Sequence, residues 1–137
     1  MPVLIDSNVL IDLFSDDPDW GAWSERQLVA QAARDDLLVN VVVLAEVAHG
    51  FRSSADMQAA LDTALIGFEA MPRGAGFRAG IAHRDYRLKA GSRARTLPDF
   101  LIGAHADVAG HVLLTRDPSR YRTYFPGVEV IAPDTHP

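Results

Sequence analysis

Short runs of consecutive apolar residues alternate along this chain with longer segments whose apolar residues recur every three or four positions. Residues 2–6 (PVLID), 37–40 (LLVN), 111–115 (HVLLT) and 128–132 (VEVIA) are of the first kind. Runs of this length predict short strands buried on both faces. The second kind predicts helices from Asp6 or Ser7 to about Phe14, from Trp20 to Arg34, from about Val42 to Phe51, and over 55–68, 77–90 and 97–109. Residues 55–68 place Met57, Leu61, Leu65 and Phe68 at spacings of three and four, which predicts one continuous helix. DDPD at 16–19, MPRGAG at 71–76 and GSR at 91–93 read as breaks, and RDPSRY at 116–121 as a turn or short helix. Four strands separated by helices imply crossover connections and a mainly parallel sheet covered on both faces. The expectation is an α/β fold with 1–137 forming a single domain.

The polar residues at the strand ends then come into focus. In parallel sheets, ligands gather beyond the carboxyl ends of the strands, near the point where strand order reverses. Asp6 closes the first predicted strand, and Glu46 lies in the first turns of the helix after the second. Asp99 lies in the first turn of a later helix, behind Pro98, and Asp117 follows HVLLT by two residues. Each has a plain structural explanation. Asp6 and Asp117 fit helix caps, Thr96 with Asp99 has capping-box spacing, and Glu46 fits a solvated helix position. Capping does not explain why four carboxylates should meet at one edge. Carboxylates brought together repel and raise one another's pKa unless a cation intervenes. Oxygen ligands without His or Cys suit Mg²⁺ or Mn²⁺, the cations that support in-line hydrolysis of a phosphodiester. Ser7, Asn8 and Thr115 stand where they would orient such ligands.

Composition sharpens this picture at two points. The 137 residues are 48% hydrophobic and 23% charged, as in ordinary globular proteins, and there is no cysteine for disulfides or thiolate chemistry. No apolar run approaches the ~18 residues of a membrane span, and MPVLID has no basic leader, so the expected location is the cytoplasm. The net charge of −5 is unevenly spread. Arg78, Arg84, Arg87, Lys89, Arg93 and Arg95 face only Asp85 within 78–95, so this segment carries +5 and the remainder −10. Leading straight into Thr96–Asp99, it would hold a polyanion against the acidic edge, with Arg84, Arg87, Lys89, Arg93 and Arg95 as the candidate contacts. The alternative is an ordinary solvated helix face. Histidines 49, 83, 105, 111 and 136 show no zinc-binding spacing and read as core or surface residues. No P-loop, G-x-G-x-x-G or Ser-His-Asp spacing is present.

Four segments, VLIDSNVLID, NVVVLAEVAHGF, LPDFLIGAHA and LLTRDPSRY, resemble in order the successive signatures of PIN-domain ribonucleases. The resemblance is closest to the VapC-like toxins of bacterial toxin–antitoxin pairs and spans nearly the whole chain. It implies a three-layer α/β/α sandwich around a short, mainly parallel sheet. It also implies that Asp6, Glu46, Asp99 and Asp117 form an acidic Mg²⁺ or Mn²⁺ site lined by Asn8 and Thr115. The implied activity is cleavage of structured RNA (tRNA or rRNA) by a homodimer. A cognate antitoxin would form a hetero-oligomer with it, laying a tail with a basic residue over the acids. Asn40 departs from the Ser or Thr of many relatives, and His105 stands where a small residue is usual. Two other readings remain. A phosphatase or phosphotransferase would use Asp6 as nucleophile, but Asn8 stands where a second aspartate is expected. A non-catalytic binding module would use only the acidic edge, but four intact acids count against it.

Overall fold

The computed structural model describes residues 1–90 and 96–137, so the expectations for Arg93 and Arg95 lie outside the described residues. Five strands form one sheet: β1 (Val3–Ile5), β2 (Leu37–Val39), β3 (Ile66–Phe68), β4 (Val112–Leu114) and β5 (Val130–Ile131). Their order is β3-β2-β1-β4-β5 and every pairing is parallel. The connections are α1 (Ser7–Phe14), α2 (Gly21–Ala32), α3 (Val41–Val47) with a 3₁₀ turn (Ala48–Gly50), α4 (Ser54–Thr63), α5 (Arg73–Ala90), α6 (Leu97–Ala109) and α7 (Ser119–Tyr124). From β1 the chain moves outward to β2 and β3, then returns past β1 to β4 and β5. Right-handed crossovers moving in opposite directions put helices on opposite faces, which gives the expected α/β/α layering.

The central strands are apolar because both of their faces are covered. Val3, Leu4, Ile5, Leu113 and Leu114 have no exposed surface, and Val112 has 5%. Burial of each such side chain contributes roughly 1.5–3 kcal/mol, so β1 and β4 are the rigid middle of the sheet. Phe100, Ile102 and Ala104 of α6 belong to the same buried core. Gly103 admits the close approach of Phe125, whose ring carbons would lie 2.5 Å from a β-carbon there. Gly110, with φ +71°, ends α6 in the left-handed conformation that glycine adopts without strain.

The predicted helix over 55–68 is corrected. The structure ends α4 at Thr63, sets Leu65 at φ 61°, and continues as β3 beside β2. Leu65 and Phe68, expected on the apolar helix face, are 75% and 56% exposed. A three-residue edge strand has too few alternations to compete with a helical spacing that continues through it by coincidence. The sheet therefore has five strands where the apolar runs indicate four. Helix α5 starts at Arg73, inside the predicted 71–76 loop, and the predicted 42–51 helix divides after Val47. No described helix is long and apolar enough to cross a membrane.

Candidate active site

The order of the strands reverses at the β1/β4 pair, which makes the carboxyl ends of these two strands the expected place for a site. Asp6 leaves β1 there, its backbone N–H donating to Leu114 O at 2.9 Å. Thr115 leaves β4 beside it and is fully buried. Asp6 does stand at the N-cap position of α1, but its side chain makes no capping hydrogen bond. The carboxylate is held from the side instead. Its Oδ2 accepts from Thr115 Oγ1 at 2.8 Å, Tyr121 OH at 3.0 Å and Asn8 Nδ2 at 3.3 Å. Among the described residues, Oδ1 has only a long contact from Ser7 Oγ, at 3.5 Å. Three donors on one oxygen fix the carboxylate and leave the other available.

The remaining acids surround this anchor. Ser7 Oγ donates to Glu46 Oε1 at 2.8 Å, tying the start of α1 to α3. Asp99, one turn into α6, accepts from Arg120 Nη1 of α7. Asp6, Ser7, Asn8, Asp99, Asp117, Ser119, Arg120 and Tyr121 line a cleft of about 400 Å³. The electrostatics record the crowding. Burial, with repulsion from Asp99 and Glu46, pushes Asp6 up to about 6 against the pull of its hydroxyl donors. Glu46 is raised by burial and by Asp99, against the hydrogen bond from Ser7. Asp99 is raised by burial and by Asp117, despite the neighbouring Arg120. Oxygen donors alone, several of them held above their ordinary pKa, fit a hard divalent cation, which would relieve the repulsion. The acids nevertheless stand further apart than a closed cage requires. Among the described residues, only Glu69, His105 and His111 bring three potential ligand atoms within 4.8 Å of one another. An open arrangement suits Mg²⁺, which keeps several waters and takes few carboxylates.

The Glu69 cluster is a second polar centre, and its hydrogen bonds argue against a metal. Asn40 caps α3 by accepting from Val43 N–H at 3.0 Å through Oδ1, which leaves Nδ2 to face His105 Nδ1 at 3.0 Å. His105 Nδ1 must then accept, so its proton sits on Nε2 and is donated to Glu69 Oε1 at 2.8 Å. To bind a metal through the nitrogen that faces Glu69, His105 would need the reverse, a free Nε2 lone pair and a protonated Nδ1, and its Nδ1 lone pair is taken by Asn40. His111 Nε2 also donates to Glu69, at 2.7 Å, while its buried Nδ1 has no partner among the described residues. Asn40 and His105 are thus bonded to each other.

The structure brings Asp6, Ser7, Asn8, Asp99, Asp117 and Thr115 to one edge, with Glu46 joined through Ser7. Arg84, Arg87 and Lys89 lie exposed on the last turns of α5 and do not line the cleft. Sequence reasoning does not single out Arg120 and Tyr121. The available signal was their position three and four residues past Asp117, a separation that returns a helical chain to the same side.

Fold and cleft together define a class: a parallel α/β/α domain with a carboxylate-lined cleft where its strand order reverses. Residues 3–126 match the family model of the PIN domain, and the chain belongs to that family. No curated protein matches the sequence. Similar solved structures include VapBC2 from Rickettsia felis bound to a promoter DNA fragment, at TM-score 0.72, 18% identity and coverage of 96% and 98% of the two chains. VapBC-1 from nontypeable Haemophilus influenzae matches at TM-score 0.69, 16% identity and the same coverage. A toxin–antitoxin complex from Klebsiella pneumoniae matches at TM-score 0.66, 25% identity and coverage of 94% and 95%.

Proposed function

We propose that this chain is a Mg²⁺- or Mn²⁺-dependent endoribonuclease and the toxin of a toxin–antitoxin pair. The observation that carries the reading is the treatment of Asp6. A buried carboxylate that caps nothing is held by three donors on one oxygen at the strand-order reversal, with Asp99, Asp117 and Glu46 around it. Such an arrangement is unfavourable for folding and is explained by a ligand of opposite charge.

Asp6, Glu46, Asp99 and Asp117 would hold the cation. When bound, it supplies a water activated for attack and neutralises charge on the phosphodiester. The protein's own part is positional. Thr115, Tyr121 and Asn8 fix Asp6, and Ser7 fixes Glu46. Asn8 is itself fixed, since its Oδ1 accepts from Arg116 N–H at 3.2 Å. Exposed Arg84, Arg87 and Lys89, together with Arg93 and Arg95, would attract the RNA backbone. With Asn8 donating to Asp6, the second acid of an aspartyl phosphotransferase is lacking.

PIN domains are generally nucleases, and the similar structures named above are toxin–antitoxin complexes. These likenesses support a cognate antitoxin as partner. A homodimeric toxin, a single domain over 1–137 and action in the cytoplasm are further parts of the proposal. The test is cleavage of purified tRNA and rRNA by wild type, Asp6→Asn and Asp99→Asn with and without Mg²⁺. Metal-dependent cutting should vanish in both variants while their circular dichroism is retained. Equal cutting by all three proteins would refute the proposal.

A further inference from the structure

We propose that Arg120 is a phosphate-binding residue of the cleft, pre-positioned by Asp99 and Tyr86 to grip the RNA backbone beside the acids; this rests on the nuclease reading above. Three arginines lie between positions 116 and 122, and the structure uses them differently. Arg116 is bidentate on Asp12, through Nε at 2.8 Å and Nη2 at 3.1 Å. Arg122 is bidentate on Asp134, outside the cleft. Arg120 alone lines the cleft, and its bond to Asp99 Oδ2 involves a single nitrogen, Nη1.

A guanidinium carries five N–H donors in a planar fork suited to phosphate. One of Arg120's donors is engaged among the described residues, leaving several for a ligand. Two contacts hold the group in place. Asp99 fixes one end, and the guanidinium carbon lies 5.2 Å from the centre of the Tyr86 ring, a cation–π arrangement. Tyr86 is in turn packed edge-on or tilted against Tyr124 and Phe100, at centroid distances of 5.7 and 5.3 Å. An arginine held this way loses little rotational freedom on binding, and this raises the benefit of each new hydrogen bond.

The excess of acids in the cleft gives a cation there a role. Among the described residues, Arg120 is the only cation lining a cleft that also contains Asp6, Asp99 and Asp117. A phosphate entering such a site would be repelled by the acids, and even a divalent cation leaves them in excess. A fixed positive group at the rim offsets this and orients the backbone. Arg84, Arg87 and Lys89 of α5 could supply general attraction, but they do not line the cleft and so give no register at the reacting phosphate.

The experiment measures binding of a short, fluorescently labelled RNA oligonucleotide by anisotropy across a KCl series, with Ca²⁺ replacing Mg²⁺. It compares wild type, Arg120→Met, Arg120→Lys and Arg122→Met, with Mn²⁺ binding followed separately by electron paramagnetic resonance. Arg120→Met should weaken RNA binding roughly tenfold and lower the slope of log K against log salt by about one. Arg120→Lys should keep the slope but bind more weakly than wild type, and Arg122→Met should match wild type. Mn²⁺ binding should persist in all four proteins. An unchanged affinity and slope in Arg120→Met would overturn the proposal, leaving Arg120 as a counter-ion for Asp99. An equal effect of Arg122→Met would also overturn it, as would loss of Mn²⁺ from Arg120→Met. Failure of the nuclease reading looks different: wild type would neither bind Mn²⁺ nor cut RNA, while the Arg120 slope comparison would still be measured.

Discussion

Thr115 Oγ1 lies 2.8 Å from Asp6 Oδ2, joining the carboxyl ends of β1 and β4 across 109 positions of sequence. Both side chains are buried, so the hydroxyl is the first of few groups able to compensate an ionised Asp6. Thr115→Val keeps the shape and removes the donor. The carboxylate then stands less compensated, which should destabilise the fold by about 1–3 kcal/mol at neutral pH, read as a lower urea midpoint. Mn²⁺ affinity should fall as well, because the carboxyl binds protons more strongly. An unchanged midpoint would show that Tyr121 and Asn8 hold Asp6 without Thr115.

Asp6 itself should limit stability. Its carboxyl is raised from 3.8 to about 6, chiefly by burial, so the folded protein binds a proton there more readily than the unfolded chain does. A raised carboxyl pKa means stability increases as pH falls from above 6 toward 4 and is lowest when the group is ionised. A shift of this size corresponds to roughly 3 kcal/mol. In buffer with EDTA, Asp6→Asn should therefore melt higher than wild type at pH 7.5, and the difference should shrink toward pH 5. A variant that melts lower at pH 7.5 would contradict the electrostatic account of the cleft.

At the Glu69 centre the sign is opposite. Hydrogen bonds from His105 and His111 hold Glu69 below its ordinary pKa. Its contribution is therefore present above about pH 4.5, the ordinary glutamate value, and is lost as pH falls below it. Glu69→Gln should flatten the acid limb of the stability profile below pH 4.5. His105→Leu leaves Asn40 Nδ2 unmet in the interior and removes one hydrogen bond to the partly exposed Glu69, and should cost about 1–3 kcal/mol. Zn²⁺ should bind no more tightly to wild type than to Glu69→Gln in calorimetry, because Asn40 fixes the unfavourable histidine tautomer.

How much of this was legible in the sequence differs from residue to residue. Asp6, Asp99 and Asp117 were readable because each follows a strand or opens a helix, positions that a parallel sheet gathers at one edge, whereas Glu46 lies further along, in the last turn of α3. Their meaning was less secure, since Asp6 suits a cap equally well, and only the side-chain geometry shows that it caps nothing. Strand β3 was hidden because Ile66–Phe68 continues the spacing of α4, and only pairing with β2 makes it a strand. The Asn40–His105 bond joins residues 65 positions apart through no local pattern. Tyr121 and Arg120 read as parts of a turn, because the identity of their partners depends on how α7 packs against α6.

The pair of buried Asp12 and partly exposed Arg116 gives the largest single-site prediction. Asp12 is 1% exposed and receives two nitrogens of Arg116 and Ser24 Oγ at 3.2 Å. Arg116 lies over the Trp20 ring at 5.7 Å and immediately follows Thr115, so the pair holds α1, α2 and the end of β4 in one arrangement. Arg116→Met would leave a buried carboxylate with a single hydroxyl partner and should cost about 3–5 kcal/mol. Much of that penalty belongs to the stranded charge and not to the bond removed. The double variant Asp12→Leu/Arg116→Met, with neither charge, should therefore recover a large part of it. Arg122→Ala, which breaks the exposed pair with Asp134, should change stability little by comparison. Equilibrium urea unfolding of the four proteins decides the matter. A double variant no more stable than Arg116→Met would mean that the pair acts by positioning these elements, and that stranded charge is not the main term.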